Sequence, residues 1–238
     1  MPGLAARGFE PFTFELTKET LPERIDRFAA YLRAYKAREP GRFPACLIGY
    51  SMGGIVARGL LRRHPDLVPE ISHLMLLAVP NWGLRLSVLP KLARIVGLPW
   101  RELDEIDAKH PFLHDLNGTT GRLVTRGRTN QWVPDHEPWV VPAGLNTLAV
   151  AGVVPRYRDS DGLVSVDSAT MGGRIPSVSL VDPHANHLNV TGETDKVAML
   201  VRGFVRTDRV WPRVLDAFCA FADGAAQTVE QPAAYSLA

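Results

Sequence analysis

Cysteine is scarce: the 238 residues hold two, Cys46 and Cys219. That excludes a disulfide framework and leaves no zinc-ligand spacing. Both fall in apolar segments and read as small buried residues. An excess of charge of one sign is also lacking. With 27 Lys and Arg against 25 Asp and Glu, the net charge of +2 is too mild for a nucleic-acid partner, and the arginines are scattered. No apolar run approaches the about 18 residues that a bilayer span needs. The start, Met1-Pro2-Gly3-Leu4, has neither the charged nor the apolar region of a secretory leader, so the chain as written is expected in the cytoplasm. There is no internal repeat. What the chain does have is 46% hydrophobic and 22% charged residues, enough for one sizeable core. One domain is expected over 1–222, followed by an Ala- and Gln-rich tail over 223–238 expected to be disordered.

The most informative stretch runs from Ala45 to Arg58: the apolar Ala45-Cys46-Leu47-Ile48, then Gly49-Tyr50-Ser51-Met52-Gly53, then the helix-compatible Gly54-Ile55-Val56-Ala57-Arg58. With 20 glycines and 9 serines in the chain, G-x-S-x-G is expected only about 0.06 times by chance. The pattern reads as strand, sharp turn, helix. In such a turn the serine hydroxyl stands clear of the backbone and the following N–H groups converge on it. Ser51 is therefore a candidate nucleophile and the Met52 N–H a candidate oxyanion donor.

Around it the pattern alternates. Leu4–Arg7 suits the last turn of a helix, and Phe9–Leu16 suits a strand with Phe12, Phe14 and Leu16 on one face. A helix opens at Leu21-Pro22, with Ile25, Phe28, Ala29 and Leu32 at helical spacing, and stops before Pro40-Gly41. The elbow helix is expected over Gly54–His64, a buried strand over Ile71–Val79, further strands over Asn146–Val154 and Val178–Val181, and helices over Glu193–Phe204 and Pro212–Phe221. Residues 121–144, with Trp132 and Trp139 among polar residues, prolines and glycines, are expected to form an irregular loop. Strands alternating with helices predict an α/β fold with a mostly parallel, doubly wound sheet.

Gly49-Tyr50-Ser51-Met52-Gly53-Gly54 with Ile55-Val56-Ala57-Arg58 resembles the nucleophile elbow of the α/β-hydrolase lipases and esterases, bacterial triacylglycerol lipases and GPI inositol deacylase-like proteins in particular. The likeness extends from about Gly8 to about Val205. It implies the α/β-hydrolase fold, with Phe9–Leu16 as the fourth strand and the three earlier strands absent. In that fold a His-Gly motif after the third strand helps supply a second oxyanion N–H; nothing in residues 1–44 matches it. Pro80-Asn81-Trp82-Gly83 resembles the lipase turn after the next strand. A lid-like insertion is expected at about 84–118, its segment 84–98 rich in Leu, Ile and Val with Arg85, Lys91 and Arg94 interleaved. That segment reads either as an amphipathic flap making transient contact with lipid or acyl chains, or as a surface helix packed on the core. Pro111–Asn117 also resembles a lipase segment, with no chemical role assigned to it.

A serine nucleophile needs a base, and the base needs an acceptor on its other nitrogen. The fold's chain order is Ser, acid, His, which leaves His184 and His187; His64, His73, His110, His114 and His136 come too early and read mostly as solvent-facing or capping residues. Ala185-Asn186-His187-Leu188-Asn189 resembles the Asn-His-Leu of lipases and makes His187 the preferred base, His184 the other choice. Asp161 in Asp159-Ser160-Asp161-Gly162-Leu163-Val164 resembles the lipase Asp-Gly-Leu-Val and is the expected acid. Asp159, and a plain Asp-Gly turn with a solvated carboxylate, stand as alternatives, while Asp182 suits a turn at Pro183. His184, His187 and Asp182 form a weak metal pattern. Calcium-binding lipases have Asp where this chain has Asn189, so that site is not carried over and no metal or cofactor is expected. The expected activity is hydrolysis of a small-molecule or lipid carboxylic ester through Ser51, His187 and Asp161. Acyl transfer through the same residues, or a non-catalytic protein lacking the second oxyanion strand, are the rivals.

Overall fold

The computed structural model describes residues 9, 11, 19–84, 104–118, 120–126, 129–154, 156, 159–175, 178–182, 185–187, 189, 190 and 204. Helix α1 spans Leu21–Arg38. It starts there because Thr20 and Glu23 form a reciprocal capping box, with Pro22 in the first turn. Its Leu21, Ile25, Phe28, Ala29 and Leu32 form the buried stripe expected from their spacing. A 3-10 turn, Pro40–Arg42, leads into strand β1, Ala45–Tyr50. Helix α2 follows over Met52–Arg63, two residues earlier than expected, because the chain reverses at Ser51 itself. A second 3-10 turn, Pro65–Glu70, precedes β2, Ile71–Leu77. This strand stops two residues before the expected Val79, where Ala78 takes φ 49° and turns the chain.

Next come α3, Pro111–Asn117, the strands β3, Gly121–Arg126, and β4, Thr129–Pro134, then β5, Asn146–Gly152, α4, Val166–Thr170, and β6, Val178–Asp182. Strands β3 and β4 pair antiparallel from Gly121 opposite Pro134 to Arg126 opposite Thr129. The expected irregular loop over 121–144 is therefore corrected to a hairpin over most of its length. Its backbone groups are satisfied by a ladder of their own outside the main sheet, so the segment needs no run of core-facing apolar residues to announce it.

The main sheet has the order β1-β2-β5-β6, with all three pairings parallel. Among the described residues β1 pairs on one side only, with β2. One face packs Leu47, Leu74, Leu76, Ala149 and Ala151 with α1 and α2. The other gathers Met75, Leu77, Leu148 and Val150 with Cys46, Ile48 and Tyr50. Because the strands run the same way, Ser51 after β1, Asp161 after β5 and His187 after β6 all follow C-terminal strand ends, where open α/β sheets bind ligands. The expected strand Phe9–Leu16, most of the 84–98 segment, the helices over Glu193–Phe204 and Pro212–Phe221, Cys219 and the tail lie outside the described residues, apart from Phe9, Pro11, Leu84 and Phe204.

Candidate active site

Ser51 sits at φ 50° and ψ −124°, a region sparsely populated by residues other than glycine that costs about 1–3 kcal/mol. The fold holds it there from both sides: its N–H donates to the Leu77 carbonyl at 2.9 Å and its carbonyl accepts from Gly54 at 3.0 Å. A Cβ on Gly49 would stand 2.5 Å from the Gly54 Cα, so the turn closes only with glycine at that position. Met52 is the first residue of α2, and an N–H in the first turn has no acceptor within its helix.

Asp161 is fixed by its own loop. Its Oδ1 accepts from the N–H groups of Leu163 at 2.9 Å and Val164 at 2.7 Å, and Gly162 takes φ 100° to let the chain turn back. The other oxygen, Oδ2, lies 2.8 Å from Nδ1 of His187, and Nε2 of His187 lies 3.0 Å from Oγ of Ser51. The carboxylate and imidazole are almost wholly enclosed, 2% and 3% exposed. The His187 N–H donates to the Asp161 carbonyl at 3.0 Å. Gly152, at the end of β5, lets the two loops meet: a Cβ there would overlap the Ala185 carbonyl oxygen and stand 3.0 Å from the Asp161 Cβ.

The structure thus brings Ser51, His187 and Asp161 into one hydrogen-bonded series and leaves Asp159 exposed. His184 lies outside the described residues, and Asp182 ends β6. Of the earlier histidines, His110 caps α3 through Phe112 N–H, as a capping residue would, whereas His73 is buried in the sheet with its ring edge-on to Phe204. Among the described residues no group of three or more His, Cys, Asp or Glu is placed to hold a metal ion, and no helix is long and apolar enough to cross a membrane.

Two sets of contacts were not foreseen. The Tyr50 hydroxyl donates to the His187 carbonyl at 2.6 Å, and the two ring centroids are 5.4 Å apart. Alternation along β1 was the available signal, since Tyr50 had to leave the sheet on the face opposite Leu47. Behind the elbow, Arg58 is fully buried and donates to the carbonyls of Val140 and Trp139 and to the side-chain oxygens of Asn81 and Asn117, at 2.8–3.0 Å. Asn81 in turn donates to the Ser168 and Ala169 carbonyls of α4, and Asn117 donates to the Asn81 carbonyl. Burial, with Arg62 nearby, lowers the Arg58 pKa from 12.5 to about 9, so the charge remains at neutral pH.

No protein-family profile matches the sequence, and no curated protein matches it. Solved structures do resemble it. Bacillus licheniformis lipase BlEst2 in its mature form is 20% identical with a TM-score of 0.50, over 77% of this chain and 74% of that one. Phospholipase PlaB from Legionella pneumophila is 16% identical with a TM-score of 0.53, over 90% of this chain and 54% of that one; its complex with thio-NAD gives a TM-score of 0.55. The chain therefore spans about half the length of PlaB. At these identities the likeness concerns the path of the chain, and with the parallel sheet and the turn at Ser51 it leads to one conclusion: this protein has the α/β-hydrolase fold.

Proposed function

We propose that the protein hydrolyses carboxylic esters, with Ser51 as nucleophile, His187 as general base and acid, and Asp161 as the group that orients His187. The observation that carries this reading is the unbroken series from Ser51 Oγ through His187 Nε2 and Nδ1 to Asp161 Oδ2, at 3.0 and 2.8 Å. With Nδ1 protonated and donating to Asp161, Nε2 is left as an acceptor for the serine proton. Ser51 Oγ attacks the acyl carbon and its proton passes to Nε2. That proton then goes to the departing alcohol, leaving an acyl-serine, and water repeats the sequence to release the acid. The Met52 N–H donates to the oxyanion that forms, aided by the positive end of the α2 dipole. A lipophilic acyl group suits the Leu-, Ile- and Val-rich 84–98 segment, and the lipase and phospholipase of the same fold support an ester substrate.

The test is labelling with a fluorophosphonate probe and hydrolysis of a p-nitrophenyl ester. Ser51→Ala is expected to abolish both, and His187→Ala to lower turnover by several orders of magnitude. Labelling that persists unchanged in Ser51→Ala would overturn the assignment.

A further inference from the structure

Strand β1 alternates, so Cys46, Ile48 and Tyr50 leave the sheet on the face where Met75, Leu77, Leu148 and Val150 pack. Tyr50 is the last residue of that strand and is bonded directly to Ser51. Its side chain reaches the loop after β6 and touches one residue of that loop in two ways. The hydroxyl donates to the His187 carbonyl at 2.6 Å, and the ring lies 5.4 Å from the imidazole, centroid to centroid, tilted by 34°. On its other side the His187 main chain donates its N–H to the Asp161 carbonyl at 3.0 Å. Both main-chain groups of His187 are therefore clamped, one by the residue preceding Ser51 and the other by Asp161.

We propose that Tyr50 is a positioning residue for His187: its hydroxyl fixes the backbone that carries the imidazole over Ser51, and its ring packs against the imidazole and holds its orientation. This rests on the assignment of His187 as the base. Tyr50 itself neither gives nor takes a proton; the serine proton moves to Nε2 and then to the leaving alkoxide, while Nδ1–H stays with Asp161. Burial and the nearby Asp161 push Tyr50 up to about 12, so its hydroxyl remains a donor well into the alkaline range. The imidazole is hydrogen-bonded to the Asp161 carboxylate and the Ser51 hydroxyl and lies against the Tyr50 ring.

The two contacts separate by substitution. Tyr50→Phe keeps the ring and removes the hydrogen bond. It is expected to lower kcat about tenfold, the value of one well-placed hydrogen bond, with KM unchanged. Tyr50→Leu removes the ring as well. Loss of the ring packing lets the imidazole move off Ser51, so kcat is expected to fall a further several-fold with KM again unchanged. Should Tyr50→Leu fail to fold, the kcat and KM of Tyr50→Phe, which loses a single oxygen atom, still decide the matter. A Tyr50→Phe enzyme within twofold of the parent, or one altered in KM alone, overturns the positioning role. A Tyr50→Leu enzyme that is no slower than Tyr50→Phe overturns the role of the ring. If these failures occur while Ser51→Ala and His187→Ala abolish activity, the fault lies with Tyr50 alone; a parent protein that is neither labelled nor active overturns both readings.

Discussion

Gly54 and Val79 meet so closely that helix α2 lies against the chain just after β2 only while residue 54 has no side chain: a Cβ there would overlap Cγ2 of Val79 and stand 2.9 Å from its Cγ1. Gly49→Ala meets backbone instead, the Gly54 Cα at 2.5 Å. The two glycines should therefore respond differently to one remedy. Gly54→Ala is expected to destabilise by about 1–3 kcal/mol, as overpacking does. Val79→Ala should give back a large part of that, with a favourable coupling of about 1 kcal/mol in a double-mutant cycle. Gly49→Ala should gain nothing from Val79→Ala. Urea denaturation of the parent, the three single variants and the two doubles checks both statements.

Asp161→Asn should leave the fold in place and remove the activity. The Leu163 and Val164 N–H groups, at 2.9 and 2.7 Å from one oxygen, keep the amide oxygen on their side and turn the NH2 toward His187. Nδ1 must then accept, the ring proton moves to Nε2, and Ser51 faces a donor where it needs an acceptor. The expected loss in kcat is about ten-thousand-fold, with an unchanged circular dichroism spectrum. A loss below tenfold would show that the tautomer is not set by Asp161.

Cys46 is partly buried rather than fully enclosed, and its desolvation pushes the thiol from 9.0 up to about 12. A raised pKa in the folded state means that the folded chain holds this proton more tightly than the unfolded chain. The contribution is fully present below about pH 9 and fades as the pH rises toward 12. In a Cys219→Ser background the native protein should resist iodoacetamide at pH 8 and react at the rate of an ordinary thiol once denatured. Cys46→Ala should show a shallower loss of stability between pH 9 and 11. Rapid alkylation of the native protein would contradict the desolvation of this thiol.

The elements that were legible in the sequence are those in which neighbouring residues state the structure between them. Leu21, Ile25, Phe28 and Leu32 announce one helix face, and Gly49, Ser51 and Gly53 announce a turn, because the physical cause of each lies within a few residues. The end of β2 was misjudged because Ala78 and Val79 continue an apolar run while the backbone has already turned at φ 49°. The hairpin is not legible because its stability is in ladder hydrogen bonds, which leave little trace in hydropathy. Ser51, Asp161 and His187 were singled out from local patterns. Nothing in those patterns shows that Oδ1 of Asp161 is occupied by its own loop, or that Tyr50 reaches a carbonyl 137 positions away. Contacts made between a side chain and a distant main-chain group have no periodicity to read.

Arg58 joins segments that are far apart in sequence: the elbow helix, the turn at Asn81, the end of α3, the chain at Trp139 and Val140 and, through Asn81, helix α4. Its buried charge is met by four neutral oxygens from three separate pieces of chain, so no one piece can leave without exposing part of the guanidinium to an unpaired, buried setting. That makes these segments open together. Amide exchange at Asn81, Asn117 and Trp139 should proceed with a common opening energy close to that of global unfolding. In Arg58→Met, α3 and its neighbours should exchange ahead of the central strands, turning a single cooperative unit into two.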